Sequence, residues 1–211
     1  MPPVHMKVVD AADGTPIAGA FVLFRASARE GTITGHGGRG VLLFVAEAVT
    51  AESGAFEIAK QDFGTQPFFL NTILENPEMV IFKPGYDALV LRNERRIIAE
   101  REDMTTWMHE GKTVKLARAA SEGQLVDGGY WAAEIAQRSI DPRNCAWKKI
   151  PRFLVAVDRF ASDWGANRHS RTGDLRFKSI QNPLRTIFMN EELFAQNGCG
   201  SPKAFFESYL R

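Results

Sequence analysis

Reactive and targeting features are scarce in this chain. Only two cysteines occur in 211 residues, which excludes a disulfide-rich scaffold and a Cys-x-x-Cys centre. No apolar run reaches the roughly 18 residues that a membrane-spanning helix requires, so no transmembrane segment is expected. Lys+Arg number 26 against 25 Asp+Glu; with no excess of either sign, no global field draws the protein to nucleic acid or to an anionic membrane. Catalytic signatures are missing too. There is no Gly-x-Ser-x-Gly and no His-Glu-x-x-His, and none of His5, His36, His109 and His169 is followed three residues later by Glu. No cofactor and no metal are therefore expected. Residues 1–7 lack the basic start, apolar stretch and small-residue cleavage site of a secretory signal; either the protein is cytosolic or an export segment was removed.

What the chain does have is the composition of a globular protein, 45% hydrophobic and 24% charged, with turn residues set against β-forming runs. Residues 6–10 and 20–26 read as a strand pair across Asp13-Gly14-Thr15-Pro16. Residues 41–50 and 55–59 read as a second pair across Glu52-Ser53-Gly54, and 79–83 with 88–91 as a third across Pro84-Gly85-Tyr86. Residues 112–118, with Val114 and Leu116 alternating against charged neighbours, read as a closing strand. About seven short strands with turns between them predict a mainly β protein built on a sandwich.

Two insertions break that rhythm, residues 30–40 with five glycines and His36, and residues 61–76 with Pro67-Phe68-Phe69-Leu70. Long loops at sandwich ends are common places for binding. After about Ala120 the apolar spacing becomes helical. Leu125, Trp131 and Ile135 predict one short helix; Phe153, Leu154, Val157, Phe160 and Trp164 predict a better one entered through Pro151. Asn182-Pro183 and Ser201-Pro202 each place a capping side chain before a proline at the first helical position. The expected organisation is a sandwich over residues 1–120 and a helical extension over 121–211, whose many aromatic rings form core against one sandwich face.

The phrases Asp10, Gly14 to Ala20, Thr50 to Phe56 and Lys83 to Tyr86 resemble those of the carboxypeptidase regulatory-like domains, a prealbumin-like (transthyretin-like) family. The resemblance spans roughly residues 4 to 119. It implies a seven-stranded prealbumin-like β-sandwich and, because members are accessory modules of exported enzymes, receptors and surface proteins, a non-catalytic role. The glycine-rich insertion and the helical extension depart from the family pattern. The same fold also carries hydrolases of 5-hydroxyisourate, which end in Tyr-Arg-Gly-Ser, whereas this chain ends Ser208-Tyr209-Leu210-Arg211.

Site candidates fall in those two departures. Gly35, Gly37 and Gly40 match Gly-x-Gly-x-x-Gly, but the strand-like Val41-Leu42-Leu43-Phe44 follows where a dinucleotide fingerprint opens a helix. His36-Gly37-Gly38 echoes an oxyanion-hole phrase that lacks its nucleophile elbow. His36, Gly37, Gly38 and Arg39 in the insertion, with Trp164, Arg168 and Arg171 in the extension, are the expected binding residues. Arg92, Arg95, Arg96 and Arg101, interleaved with acidic residues, read as a solvated mixed-sign surface. Cys145 and Cys199 are either one disulfide or two buried thiols; spacing does not decide. A disulfide favours an oxidising compartment. The expectation is a binding or structural module, periplasmic or extracellular with a cytoplasmic location as the alternative, that engages a protein or cell-surface partner. The alternatives are a hydrolase around His36, with or without metal, and a carbohydrate-binding module, which requires an exposed coplanar pair of rings.

Overall fold

Alternating side chains along a strand must bury one face. Here the strands do so in two stacked sheets. A computed structural model describes residues 1–30, 40–61, 72–93, 107–141, 143–168 and 182–211. Its strands are β1 Val4–Asp10, β2 Phe21–Glu30, β3 Gly40–Val49, β4 Ala55–Ile58, β5 Thr72–Leu74, β6 Glu78–Phe82, β7 Leu89–Arg92 and β8 Thr113–Leu116. One sheet has the order β4-β1-β8; the other runs β3-β2-β6-β7, with β5 added on β2. Seven strands match those expected from sequence, and β5 falls inside the predicted insertion 61–76.

Two of the expected hairpins are corrected. β1 and β2 lie in different sheets, as do β3 and β4; of the three expected pairs only β6 and β7 form a hairpin, while β2 pairs antiparallel with β3 instead. β1 instead pairs antiparallel with β4 and parallel with β8, Lys7 opposite Thr113 and Asp10 opposite Leu116. The turns between these strands are corners that carry the chain from one sheet to the other. Gly54 has φ +76°, and a Cβ there would meet the Val8 carbonyl oxygen at 2.3 Å, so only glycine fits. The buried Thr50 hydroxyl accepts from Ala20 N–H at 2.8 Å and donates to the Ile17 carbonyl at 2.6 Å, joining the two corners.

The same phrases tie in the β6–β7 turn. Asp10 accepts from Tyr86 OH at 3.1 Å and from Arg118 Nε at 2.9 Å, and Lys83 Nζ donates to the Ala18 carbonyl at 2.9 Å. These turn residues therefore hold one end of the sandwich together. Between the sheets, Val4, Met6, Val8, Val22, Phe24, Phe56, Ile58, Met79, Ile81, Trp107 and Leu116 form the inner core. Fully burying each large side chain contributes about 2 kcal/mol.

A second core lies on the other face of the larger sheet. There Leu23, Val45, Val80 and Phe82 pack against Ala132, Ile135, Trp147, Phe153, Leu154, Val157, Phe160 and Phe206. The helices that supply these residues are α1 Glu122–Gln137, α2 Pro151–Arg168, α3 Pro183–Met189, α4 Glu191–Gln196 and α5 Pro202–Leu210, with a short 3-10 helix at Ala146–Lys149. Asn182 and Ser201 cap α3 and α5, accepting from the N–H groups of Arg185 and Ala204 as their Asn-Pro and Ser-Pro signals predict. Trp147, fully buried, stacks on Phe206 with ring centroids 5.6 Å apart and meets Phe194 and Phe205 edge-on. Beside it, Cys145 and Cys199 form a disulfide with Cα atoms 5.3 Å apart. Sheet, sheet and helices thus stack as three layers. Among the described residues, no helix is long and apolar enough to cross a membrane.

Candidate functional site

The site arises from one change of pattern along β2. Its inward-facing residues, Val22, Phe24 and Ala26, all belong to the inner core, while the opposite set runs Phe21, Leu23, Arg25, Ser27, Arg29. Leu23 is covered by the helices. From Arg25 onward the outward face is polar, so it gives the helices nothing to bury. A cleft of about 930 Å³ opens there, lined by Arg25, Ser27, Arg29, Glu75, Glu78 and Arg92, by Gly40, Val41 and Leu42 on β3, and by Arg138, Ile140, Asp141 and Arg143 just after α1.

Strand register assembles the floor. Glu78 stands opposite Arg25 on one side and Arg92 on the other, forming an Arg-Glu-Arg row across β2, β6 and β7. Arg25 Nη1 donates to Glu78 Oε1 at 2.5 Å; Arg92 Nε and Nη2 donate to Oε2 at 3.2 and 3.0 Å. One rung along, the Ser27 hydroxyl and Arg29 Nη2 donate to the two Glu75 oxygens at 2.5 and 2.9 Å. The Ser27 hydroxyl, followed by Arg29, holds the Glu75 carboxyl below its ordinary value of 4.5 against the opposing effect of burial. On the wall, Arg143 Nε and Nη2 grip both Asp141 oxygens at 2.8 and 2.5 Å, and Arg138 pairs with Glu134 on α1, which raises the guanidinium pKa further.

Each ion pair is layered. The guanidiniums of Arg29, Arg92, Arg138 and Arg143 keep 46 to 54% of their side chains exposed, whereas their partners Glu75, Glu78, Glu134 and Asp141 keep 8 to 36%. A visitor therefore meets guanidinium before carboxylate. Arg25 is the exception: it is buried at the bottom beside Glu78, and its Nε has no hydrogen-bond partner. An arginine offers five N–H donors and these pairs occupy one or two of each exposed guanidinium's. The spare donors suit carboxylate or phosphate oxygens, which Arg binds in a two-pronged manner. Among the described lining residues there is no histidine, cysteine or lysine, and the Ser27 hydroxyl is held by the Glu75 carboxylate.

Of the residues expected from sequence, His36, Gly37, Gly38, Arg39 and Arg171 lie outside the described residues, as do Arg95, Arg96 and Arg101. Trp164 and Arg168 fall in α2, their side chains beyond those described. His36 to Arg39 immediately precede Gly40 of the cleft in sequence. Arg92 is exposed, as expected of a solvated mixed-sign surface, and its partner there is Glu78 at the floor of the cleft. Cys145 and Cys199 are joined, as one of the two expected states required. Trp131, expected in the core, is 45% exposed and stands edge-on to Tyr130 at 74°, a geometry unlike the coplanar pair that a sugar ring stacks on. His5 pairs with Glu57 and Glu110 on the surface, and among the described residues no group of His, Cys, Asp and Glu could hold a metal.

The cleft residues themselves escaped the sequence reading. Their signal was the switch from Leu23 to Arg25, Ser27 and Arg29 at every second position of β2, which marks a sheet face covered over half its length. No protein-family model matches the chain, and no curated protein matches it.

Proposed function

We propose that the chain is a non-catalytic binding module of the cell envelope, whose arginine-lined cleft receives the acidic groups of a protein or cell-surface partner. The observation that carries this reading is the layering of the cleft: four half-exposed guanidiniums above sunken carboxylates, on a sheet face that the helices leave uncovered. The disulfide supports an oxidising compartment. The resemblance of the corner phrases to the carboxypeptidase regulatory-like domains supports an accessory role.

The reading is tested by following backbone amide NMR signals while citrate or pyrophosphate is added to the oxidised protein. Shifts are expected to concentrate at Ser27, Arg29, Gly40, Leu42 and Arg143 and to vanish in an Arg29→Gln/Arg143→Gln variant. Undisturbed signals at millimolar anion, or shifts that survive the double substitution, would overturn it.

A further inference from the structure

The cleft does more than present charge. Gly40, Val41 and Leu42 are consecutive residues of β3, and all three line it. Successive residues of a strand point to opposite faces. Val41 lies between Gly40 and Leu42, which share the face of Arg29 and Ser27, so its part in the lining brings the main chain of β3 to the cleft. β3 is the terminal strand of its sheet, hydrogen-bonded to β2 on one side, and among the described residues no strand pairs with the other. The start of this edge, Gly40-Val41-Leu42, which precedes the register shift of the β2–β3 ladder at Leu43, carries none of the charges and prolines that blunt free edges. Such an edge recruits another strand.

Spacing and charge define that strand. Arg29 stands opposite Gly40 across the β2–β3 ladder, and glycine has no side chain to obstruct a group passing over β3 from the edge to Arg29. Arg25 and Arg29 are four residues apart on β2, about 13 Å along the strand, and Arg92 lies two strands from Arg25, about 10 Å across. A lone phosphate cannot engage cations so dispersed, but acidic side chains repeating every second residue can. Leu42 and Ile140 add apolar surface between the charges. An oligophosphate, by contrast, has no use for a row of backbone N–H and C=O groups.

We infer that the cleft, on the proposed reading of it as a binding site, takes an extended acidic peptide. That peptide adds as a strand to the open edge of β3 and directs alternate Asp or Glu side chains toward Arg29, Arg138 and Arg143.

The test is selection from a displayed library of random decapeptides on the oxidised full chain, followed by anisotropy measurements on a synthetic copy of the enriched sequence. Enrichment of Asp or Glu at alternate positions is expected. The synthetic peptide should weaken at least tenfold when alternate amides are N-methylated in one register but not in the other. It should weaken similarly against Arg29→Gln and Arg143→Gln proteins whose melting matches the parent; both side chains are about half exposed, so folding tolerates the change. No acidic enrichment, or indifference to N-methylation in both registers, overturns the peptide. If citrate still shifts Arg29 and Arg143 in that case, the anion cleft survives without it; if neither ligand acts, both readings fall.

Discussion

The Glu47 carboxylate, on β3, accepts the backbone N–H of Phe153 at 2.8 Å and that of Arg152 at 3.1 Å. A side chain of the sandwich thus caps the first turn of α2, which begins at Pro151 and has no capping residue of its own kind before it. The bonds and the helix dipole favour the ionised form, yet burial prevails and pushes the Glu47 carboxyl above its ordinary 4.5. Replacing Glu47 with Ala should cost about 1 kcal/mol at pH 7, and Glu47→Gln, which keeps an acceptor without a charge to desolvate, should lose less. Urea denaturation of the two oxidised variants checks the order; equal losses would sink the capping role.

At the floor of the cleft, Glu78 is the shared anion of Arg25 and Arg92. Removing its charge leaves Arg25 buried without a counter-ion, a change that typically costs about 3 kcal/mol or more. Glu78→Gln should therefore destabilise strongly, whereas Arg92→Gln, at the half-exposed end of the row, should cost about 1 kcal/mol or less. A paired Arg25→Met/Glu78→Leu replacement should recover most of the loss. Thermal melts of the three variants decide the matter, and a mild Glu78→Gln would mean that water reaches Arg25 freely.

Acid should loosen the latch around Asp10. The Ala12 N–H first, then Arg118 and Tyr86, hold its carboxyl below the ordinary 3.8 against the opposing pull of burial. A depressed folded-state value means stability that is complete above about pH 4 and is lost as pH falls through the folded value. Asp10→Asn should flatten that acid limb without a matching change between pH 5 and 7 beyond a constant offset. Melting temperature recorded from pH 2 to 7 in both proteins shows it; an unchanged acid limb would assign the effect to other depressed carboxyls, among them Glu75, Asp13 and Glu191.

Protein purified from its native compartment and unfolded without reductant should show no alkylatable thiol. The Cys145–Cys199 bond closes a separation of 54 residues, and the chain-entropy model gives about 4 kcal/mol for a loop of that size. Dithiothreitol or a Cys145→Ser/Cys199→Ser variant should therefore lower the urea midpoint markedly and release the Trp147 cluster first, seen as a change in tryptophan fluorescence. Two free thiols by intact mass would remove the main support for an exported protein.

Much of the β half was legible because turn chemistry is local. Gly54, Thr50 and the Asp13-Gly14 turn mark reversals wherever the strands end up. Which strand pairs with which depended on packing across the sandwich, so corners passed for hairpins. The capping signals at Asn182 and Ser201 were equally local and held. α1 was foreseen only as a short helix, since Gly128-Gly129 weakens helix propensity at its middle. Packing reverses that preference: a Cβ on Gly129 would meet Phe160 Cε1 at 2.1 Å, and one on Gly128 the Ala88 nitrogen at 2.9 Å. The cleft was hidden for a different reason. Its residues come from β2, β3, β6, β7 and the loop after α1, and only strand register places Arg25, Glu78 and Arg92 in one row.

Among the described residues, the outer apolar rows of Leu23, Val45, Val80 and Phe82 are covered by α1, α2 and the later helices, all of which are synthesised after β8. During synthesis the two-sheet half can close first, leaving a greasy wall in water until the helical residues arrive. That interval is one of timing rather than of final stability. It is the moment at which the chain would most need a holding chaperone, and a truncated product ending near residue 120 should be found in aggregates rather than in solution.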